Sequence, residues 1–306
     1  MPTSRKRKQQ QQQQQQQSCN NNNESTDSEP FPSHRRPTHV ECRYARDALL
    51  DFHGFPQEFV KYRTGNRAPP PNPNWVLESD DDLVETETVL DGLVSTLLSQ
   101  NTTEVNARRA FVSLKSAFPN WEDVLAAELK CIESSIKCGG LAATKASCIK
   151  NLLTSLVKKK GKPCLEYLRD MTIDEVKQEL CCFKGIGPKT EELVSCGGPE
   201  PRGHRVACVL MFHLHRDDFP VDTHVFRITK NLGWIPASSD RKKAYLHLNR
   251  RIPNDLKFDL NCLFVTHGKL CDSCTKKLNS KHSKTSCTQP CPLSTCIPIT
   301  DSDDLT

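Results

Sequence analysis

Apolar residues in this chain recur at intervals of three and four, and nowhere for long at intervals of two. Val89, Leu90, Leu93, Val94, Leu97 and Leu98 form one stripe, and Ala107, Ala110, Phe111, Leu114 and Phe118 a second. Ile149, Leu152, Leu153, Leu156 and Val157 form a third, and shorter stripes follow at Val176-Leu180, Val206-Val209-Leu210, Val225-Ile228-Leu232 and Leu256-Leu260-Leu263. Such spacing lines one face of a helix, whereas a half-buried strand needs strict alternation. Turn signals separate the stripes at Pro119-Asn120, Gly139-Gly140, Gly161-Lys162-Pro163, Gly185, Gly187, Gly233 and Pro253. The pattern predicts an all-α domain of about nine short helices, from roughly 76 to 270.

Both flanks read differently. Residues 1–43 begin with Arg5-Lys6-Arg7-Lys8 and a glutamine run from Gln9 to Gln17, then turn to Asn, Ser, Glu and Pro. That composition buries too little apolar surface to offset chain entropy, which predicts a disordered tail. The basic tetrad suits a nuclear-import signal, hence a nuclear protein, and equally an ordinary basic tail. Residues 44–75 predict one short helix and then an extended linker, because the prolines between Arg67 and Pro73 exclude helix. Residues 271–306 are rich in Cys, Ser and Lys and end acidic. No apolar run approaches the ~18–20 residues of a bilayer span, and the N-terminus lacks the apolar core of a secretory signal. A membrane-spanning or secreted protein is not expected. Without an export signal, the 16 cysteines read as thiols or metal ligands rather than disulfides. The net charge of +5 is compatible with a polyanionic partner but does not require one.

The most informative stretch runs from Thr172 to Thr190. Thr172 with Glu175 forms a capping box that opens a helix reaching about Cys182. Phe183-Lys184-Gly185-Ile186-Gly187 then reads as a tight turn, and Pro188 suits the first turn of a new helix. The Gly185 and Gly187 N–H groups, with those of the new helix's first turn, can converge on an anion. On the glycines alone, an ordinary corner between two helices is the better reading. Lys189 in the new helix's first turn changes that balance, together with Val221-Asp222-Thr223-His224-Val225-Phe226-Arg227-Ile228 downstream.

With these residues the chain resembles the helix-hairpin-helix (HhH-GPD) DNA glycosylase superfamily, in its endonuclease III-like branch. The resemblance is carried by Gly185-Ile-Gly-Pro-Lys-Thr190, Val206-Ala-Cys-Val-Leu-Met-Phe212 and Phe219-Pro-Val-Asp-Thr-His-Val-Phe-Arg227. Upstream, Leu97-Leu-Ser-Gln-Asn-Thr102 and Gly140-Leu-Ala-Ala-Thr-Lys-Ala146 extend it, so that it covers about 88 to 270. It implies a two-lobed helical fold, a monomer, and a partner in double-stranded DNA carrying a damaged, modified or abasic nucleotide. It also implies a base-excision glycosylase and AP lyase, with Lys189 as nucleophile and Asp222 as its partner. A lysine must be neutral to attack the sugar, and a helix N-terminus with partial burial favours that form. A carboxylate can stabilise the charge that builds on the sugar as the base leaves. The plainer alternatives are a solvated first-turn lysine and an Asp222 that only caps a helix over 223–232. Gln100 would fill the gap left by the extruded base, or merely end its helix. Lys184, Gly185, Gly187, Thr190, His224 and Arg227 would contact DNA, and phosphate contacts of this kind position a protein without reading sequence.

Two features depart from the resembled pattern. The family spaces its Lys and Asp by about eighteen residues, whereas thirty-three separate Lys189 and Asp222. The excess matches one block, Glu191 to Arg205, whose Gly197-Gly198-Pro199 and Pro201 cannot continue a helix. Removing it joins Pro-Lys-Thr directly to Val206. The block is either a loop that leaves the fold intact or the product of an alternative or misassigned splice junction, and the register favours the second. On the first alternative to catalysis, the block inactivates the site and leaves a non-catalytic DNA-binding protein. The second departure is in the tail. Many relatives carry a [4Fe–4S] cluster on Cys-x6-Cys-x2-Cys-x5-Cys, but here Cys271, Cys274, Cys287, Cys291 and Cys296 follow His267-Gly268 at other spacings. Cys271, Cys274, Cys287 and Cys291 could still hold a cluster or a tetrahedral zinc, or nothing at all. The chemistry assigned to Lys189 and Asp222 needs no metal.

Overall fold

What starts each helix is visible in its first turn. A computed structural model describes residues 29–63, 87–183, 202–275 and 290–296. Thr38, Thr88 and Thr172 each accept a hydrogen bond from the backbone three residues on, and Glu41, Asp91 and Glu175 reciprocate. These boxes open α1 (His39–His53), α2 (Val89–Leu98) and α7 (Ile173–Cys181). Between α2 and α7 lie α3 (Glu104–Ala117), α4 (Trp121–Ala126), α5 (Leu129–Ser135) and α6 (Ala142–Lys160). Gly161, at φ +80°, ends α6 in the left-handed conformation that glycine adopts without steric cost.

The chain is described again from α8 (Arg202–Cys208), which passes into a π-helical turn over Val209–His213. Then come α9 (Thr223–Asn231), α10 (Arg241–Arg251), α11 (Asn254–Leu270) and the single turn α12 (Asp272–Thr275). There is no strand among the described residues, so the all-α expectation holds. None of the described helices is long and apolar enough to cross a membrane.

The apolar faces meet in two main cores. One is built from α2 to α8 and includes Leu93, Leu97, Leu114, Ile132, Ile149, Leu153, Val176 and Leu210. The other is built from α1, α9, α10, α11 and the segment 290–296, and includes Leu49, Phe219, Ile228, Trp234, Leu248, Leu263 and Leu293. A small cluster of Phe55, Met211, Phe258 and Cys262 adds to them.

The N-terminal boundary differs from the sequence reading. Residues 29–43, expected within a disordered tail, are ordered from Glu29 onward, and the helix expected from Tyr44 opens at His39. Cys42, Ala45 and Leu49 lie fully buried against the second core. The segment before α1 is strapped down as well. The His34 ring bonds Gly233 O at 3.0 Å, the His247 ring bonds Arg36 O at 2.6 Å, and Arg251 pairs with Glu29 at 2.7 Å. The proline-rich linker lies outside the described residues.

Candidate active site and metal centre

Asp222 caps α9. Its Oδ1 accepts a hydrogen bond from Val225 N at 2.7 Å, satisfying one of the orphan donors of the first turn. The extended residues before it are braced from two helices. Asn249 of α10 accepts from Phe219 N at 2.9 Å and donates to Phe219 O at 3.2 Å. Asn261 of α11 donates to Pro220 O at 2.6 Å. The carboxylate therefore stands on backbone held from both sides. His224 follows it, and its ring packs over Gly268 of α11, where a Cβ would collide with it. Arg227 is half-buried one turn further along α9.

Two residues of α8 lie within the electrostatic reach of Asp222. His204 and Cys208 lie one turn apart, with the His204 ring 3.5 Å from Cys208 Sγ. Both feel the charge of Asp222. Burial lowers the His204 pKa while Asp222 opposes that shift. Burial, and then the charges of Asp222 and Asp218, push the Cys208 thiol well above its usual range.

Gln100 stands just past α2, followed by Asn101 in the left-handed region at φ 50°. Its Oε1 accepts a hydrogen bond from Arg205 Nη2 at 3.0 Å. The same helix end is fixed from α6 by Lys145, which is 4% exposed. Lys145 Nζ donates to Leu98 O and to Gly139 O, each at 2.8 Å. One buried ammonium so ties the Leu97-Leu-Ser-Gln helix end to the Gly139-Gly140 turn, the two upstream segments that carried the resemblance. Burial lowers its pKa, and the two carbonyls solvate the charge that remains. His213, packed on Gly92 of α2, is pushed down to about 4, chiefly by burial.

Lys184, Gly185, Gly187, Lys189 and Thr190 lie outside the described residues, as does 191–201 of the inserted block. Residues 202–205 of that block are helical, forming the first turn of α8.

At the far end of α11 a second constellation forms. The ligand atoms of His267, Cys271, Cys274 and Cys291 all lie within 4.8 Å of one another. These four side chains could bind a metal ion. Three of the sequence-predicted cysteines are among them. Cys287 lies outside the described residues, and His267, noted in the sequence only as a neighbour of Gly268, stands with the cysteines. His53, the last residue of α1, lies behind it, with its Nε2 at 2.9 Å from His267 Nδ1.

This arrangement of helices agrees with the comparisons. The family described as the HhH-GPD superfamily base excision DNA repair protein matches residues 94–254. An Arabidopsis thaliana protein provisionally named as a DNA glycosylase is 52% identical over 270 residues, spanning 86% of this chain and 87% of its own. The DNA glycosylase/AP lyase ROS1 of the same plant is 31% identical over 188 residues, which make up 53% of this chain but 12% of that protein. The solved structure of a non-covalent endonuclease III–DNA complex superposes with a TM-score of 0.53 at 19% identity, over 76% of this chain and 87% of that one. At that identity the likeness concerns the fold. The chain belongs to the HhH-GPD superfamily of base-excision DNA repair proteins, and sits among its DNA glycosylases.

Proposed function

We propose that this protein is a nuclear DNA glycosylase with an associated AP lyase activity, acting on duplex DNA with a damaged, modified or abasic nucleotide. The observation that supports it best is Asp222, a charged helix cap on doubly braced backbone within the family's span. In this reading the base leaves the stack, at a cost of a few kcal/mol of unstacking, before it is cleaved. Lys189, as a neutral amine, attacks the sugar C1′ while Asp222 stabilises the positive charge that builds as the base departs. The amine nitrogen then carries an imine to the opened sugar, and loss of a proton from C2′ expels the 3′ phosphate. Gln100, His224, Arg227, Lys184, Gly185, Gly187 and Thr190 hold the DNA around that reaction. Borohydride trapping on abasic duplex DNA tests it. Lys189→Gln is expected to abolish the covalent adduct while duplex affinity stays within a few-fold, because most affinity comes from phosphate contacts. Undiminished trapping by that variant would move the nucleophile elsewhere.

A second reading is favoured by one observation. Removing Glu191 to Arg205 would set Lys189 two residues before Val206. With the block present, that position is His204, beside Cys208 and in the field of Asp222. In this reading the full-length chain binds DNA but forms no adduct. Trapping by a chain lacking 191–205, with none by the full-length chain, would select it.

A further inference from the structure

The endonuclease III-like resemblance implies a [4Fe–4S] cluster, and the ligand geometry of the described residues does not fit one. A cubane cluster takes each ligand on a different iron, so its ligand atoms are held apart by an iron–iron edge and two outward bonds. Four ligand atoms gathered within 4.8 Å leave no room for that. They do fit one ion. Tetrahedral zinc bonds of about 2.3 Å to sulfur and about 2.0 Å to nitrogen place sulfurs about 3.8 Å apart and sulfur and nitrogen about 3.5 Å apart. Here Cys274 Sγ and Cys291 Sγ are 3.8 Å apart, and His267 Nε2 lies 3.3 Å from Cys291 Sγ and 3.5 Å from Cys274 Sγ.

We propose that the chain holds a single tetrahedral Zn2+ on His267 Nε2 and the Sγ atoms of Cys271, Cys274 and Cys291, with His53 orienting the histidine. Three thiolates and one imidazole form a closed, soft donor set that suits structural zinc. Once Nε2 binds the metal, the His267 proton sits on Nδ1 and is donated to His53 Nε2, 2.9 Å away. That second hydrogen bond fixes tautomer and ring plane, the usual support of a ligating histidine. The four ligands come from three places. His267 belongs to α11, Cys271 and Cys274 to the turn after it, and Cys291 to the segment 290–296. His53 adds α1. The ion thus staples α1 and the segment 290–296 to α11, one residue from the Gly268 on which His224 packs. This inference stands whether or not the lyase reading does, since none of these residues takes part in that chemistry.

Metal analysis of the full chain, purified from zinc- and iron-replete medium, tests it. One zinc per chain is expected, with no iron, no acid-labile sulfide and no visible cluster absorption. Four irons per chain would overturn the proposal, and so would a chain that takes up no zinc when titrated with it. Replacement by Co2+ should give the visible bands of a tetrahedral thiolate site, whereas octahedral bands would reject the geometry. Cys287→Ser should keep the zinc and Cys291→Ser should lose it, and the reverse would put the wrong sulfur in the site. His53→Ala should weaken zinc affinity ~10–100-fold against a competing chelator, and His53→Gln, which keeps an acceptor, should recover most of that loss. Equal affinity in all three would show that His53 does not orient the site. Every readout is metal content, affinity or spectrum, so none depends on DNA cleavage.

Discussion

Asp222 caps α9, and the proposed reaction gives its charge a second purpose; a single atom exchange separates the two. Asn caps helices about as well as Asp, so Asp222→Asn should keep α9 and its bond to Val225 N. It removes the charge. Base excision should therefore slow at least ~10²-fold, with the melting temperature little changed. An unaltered excision rate would leave Asp222 as a cap and nothing more. His213 allows a second residue-scale prediction. Its folded pKa is about 4 against an ordinary 6.5. Between those values the unfolded chain takes up a proton that the folded chain refuses, so this group costs stability as pH falls below 6.5 and contributes nothing above 7. Linkage sets the loss between pH 7 and 5 at about 2 kcal/mol. Urea unfolding at both pH values should show that loss in the native protein, and His213→Leu should reduce it by about that amount. Equal pH slopes would mean the imidazole is not held neutral. Of the residues around the site, Asp222 was legible because its charge follows a motif. Lys145 carries a signal in its spacing too, since it stands in register with Ile149, Leu152 and Leu156 on the buried face of α6. Asn249 and Asn261 were not legible, because their partners lie 30 and 41 residues away in sequence.

At the scale of elements, periodicity and caps were enough to find the helices. The Thr172–Glu175 box, the stripes on α2, α3 and α6, and the glycine end of α6 appear where the sequence puts them. The extent of α8 was not legible. Gly-Gly-Pro in the block argued for a break, yet its last residues, Arg202 to Arg205, join the helix because Arg205 finds Gln100 and His204 finds Cys208. Those contacts give the block a consequence. Deleting 191–205 keeps the register of Val206 onward, sets Lys189 in the place of His204 and Thr190 in that of Arg205, and frees Gln100 from the Arg205 guanidinium. A displacement of ~1 Å at a reacting group can cost ~10²-fold in rate, so restoring this alignment should matter more to rate than to binding. The deleted protein should cleave abasic duplex DNA at least ~10-fold faster than the full-length chain, with affinity changed less. Equal cleavage by the two would make the block a tolerated surface loop and end the splice interpretation.

Across the whole molecule, the second core joins residues far apart in sequence, from Cys42 to Leu293. The sequence showed its helices but not its boundary, because α1 carries only three buried residues, Cys42, Ala45 and Leu49, among charged neighbours. That short stripe becomes intelligible only against α11, which supplies the surface it covers, and against the segment 290–296, where Thr295 meets Tyr44. The strap before it adds the bonds of His34, Arg36 and Glu29 to Gly233, His247 and Arg251. Two truncations should therefore behave very differently. Removing 1–28 spares every one of these contacts and should leave the melting temperature within ~2 °C, a shift worth at most about 1 kcal/mol. Removing 1–53 strips the strap, three buried side chains and His53 from the second core. Fully burying a side chain the size of leucine is worth about 1.5–3 kcal/mol, and the carbonyl of Arg36 would leave the His247 ring without that partner. The melting temperature should fall by at least ~10 °C, or the protein should fail to accumulate in soluble form. If the chain lacking 1–53 melts with the full-length protein, α1 is an appendage, and the second core closes without it.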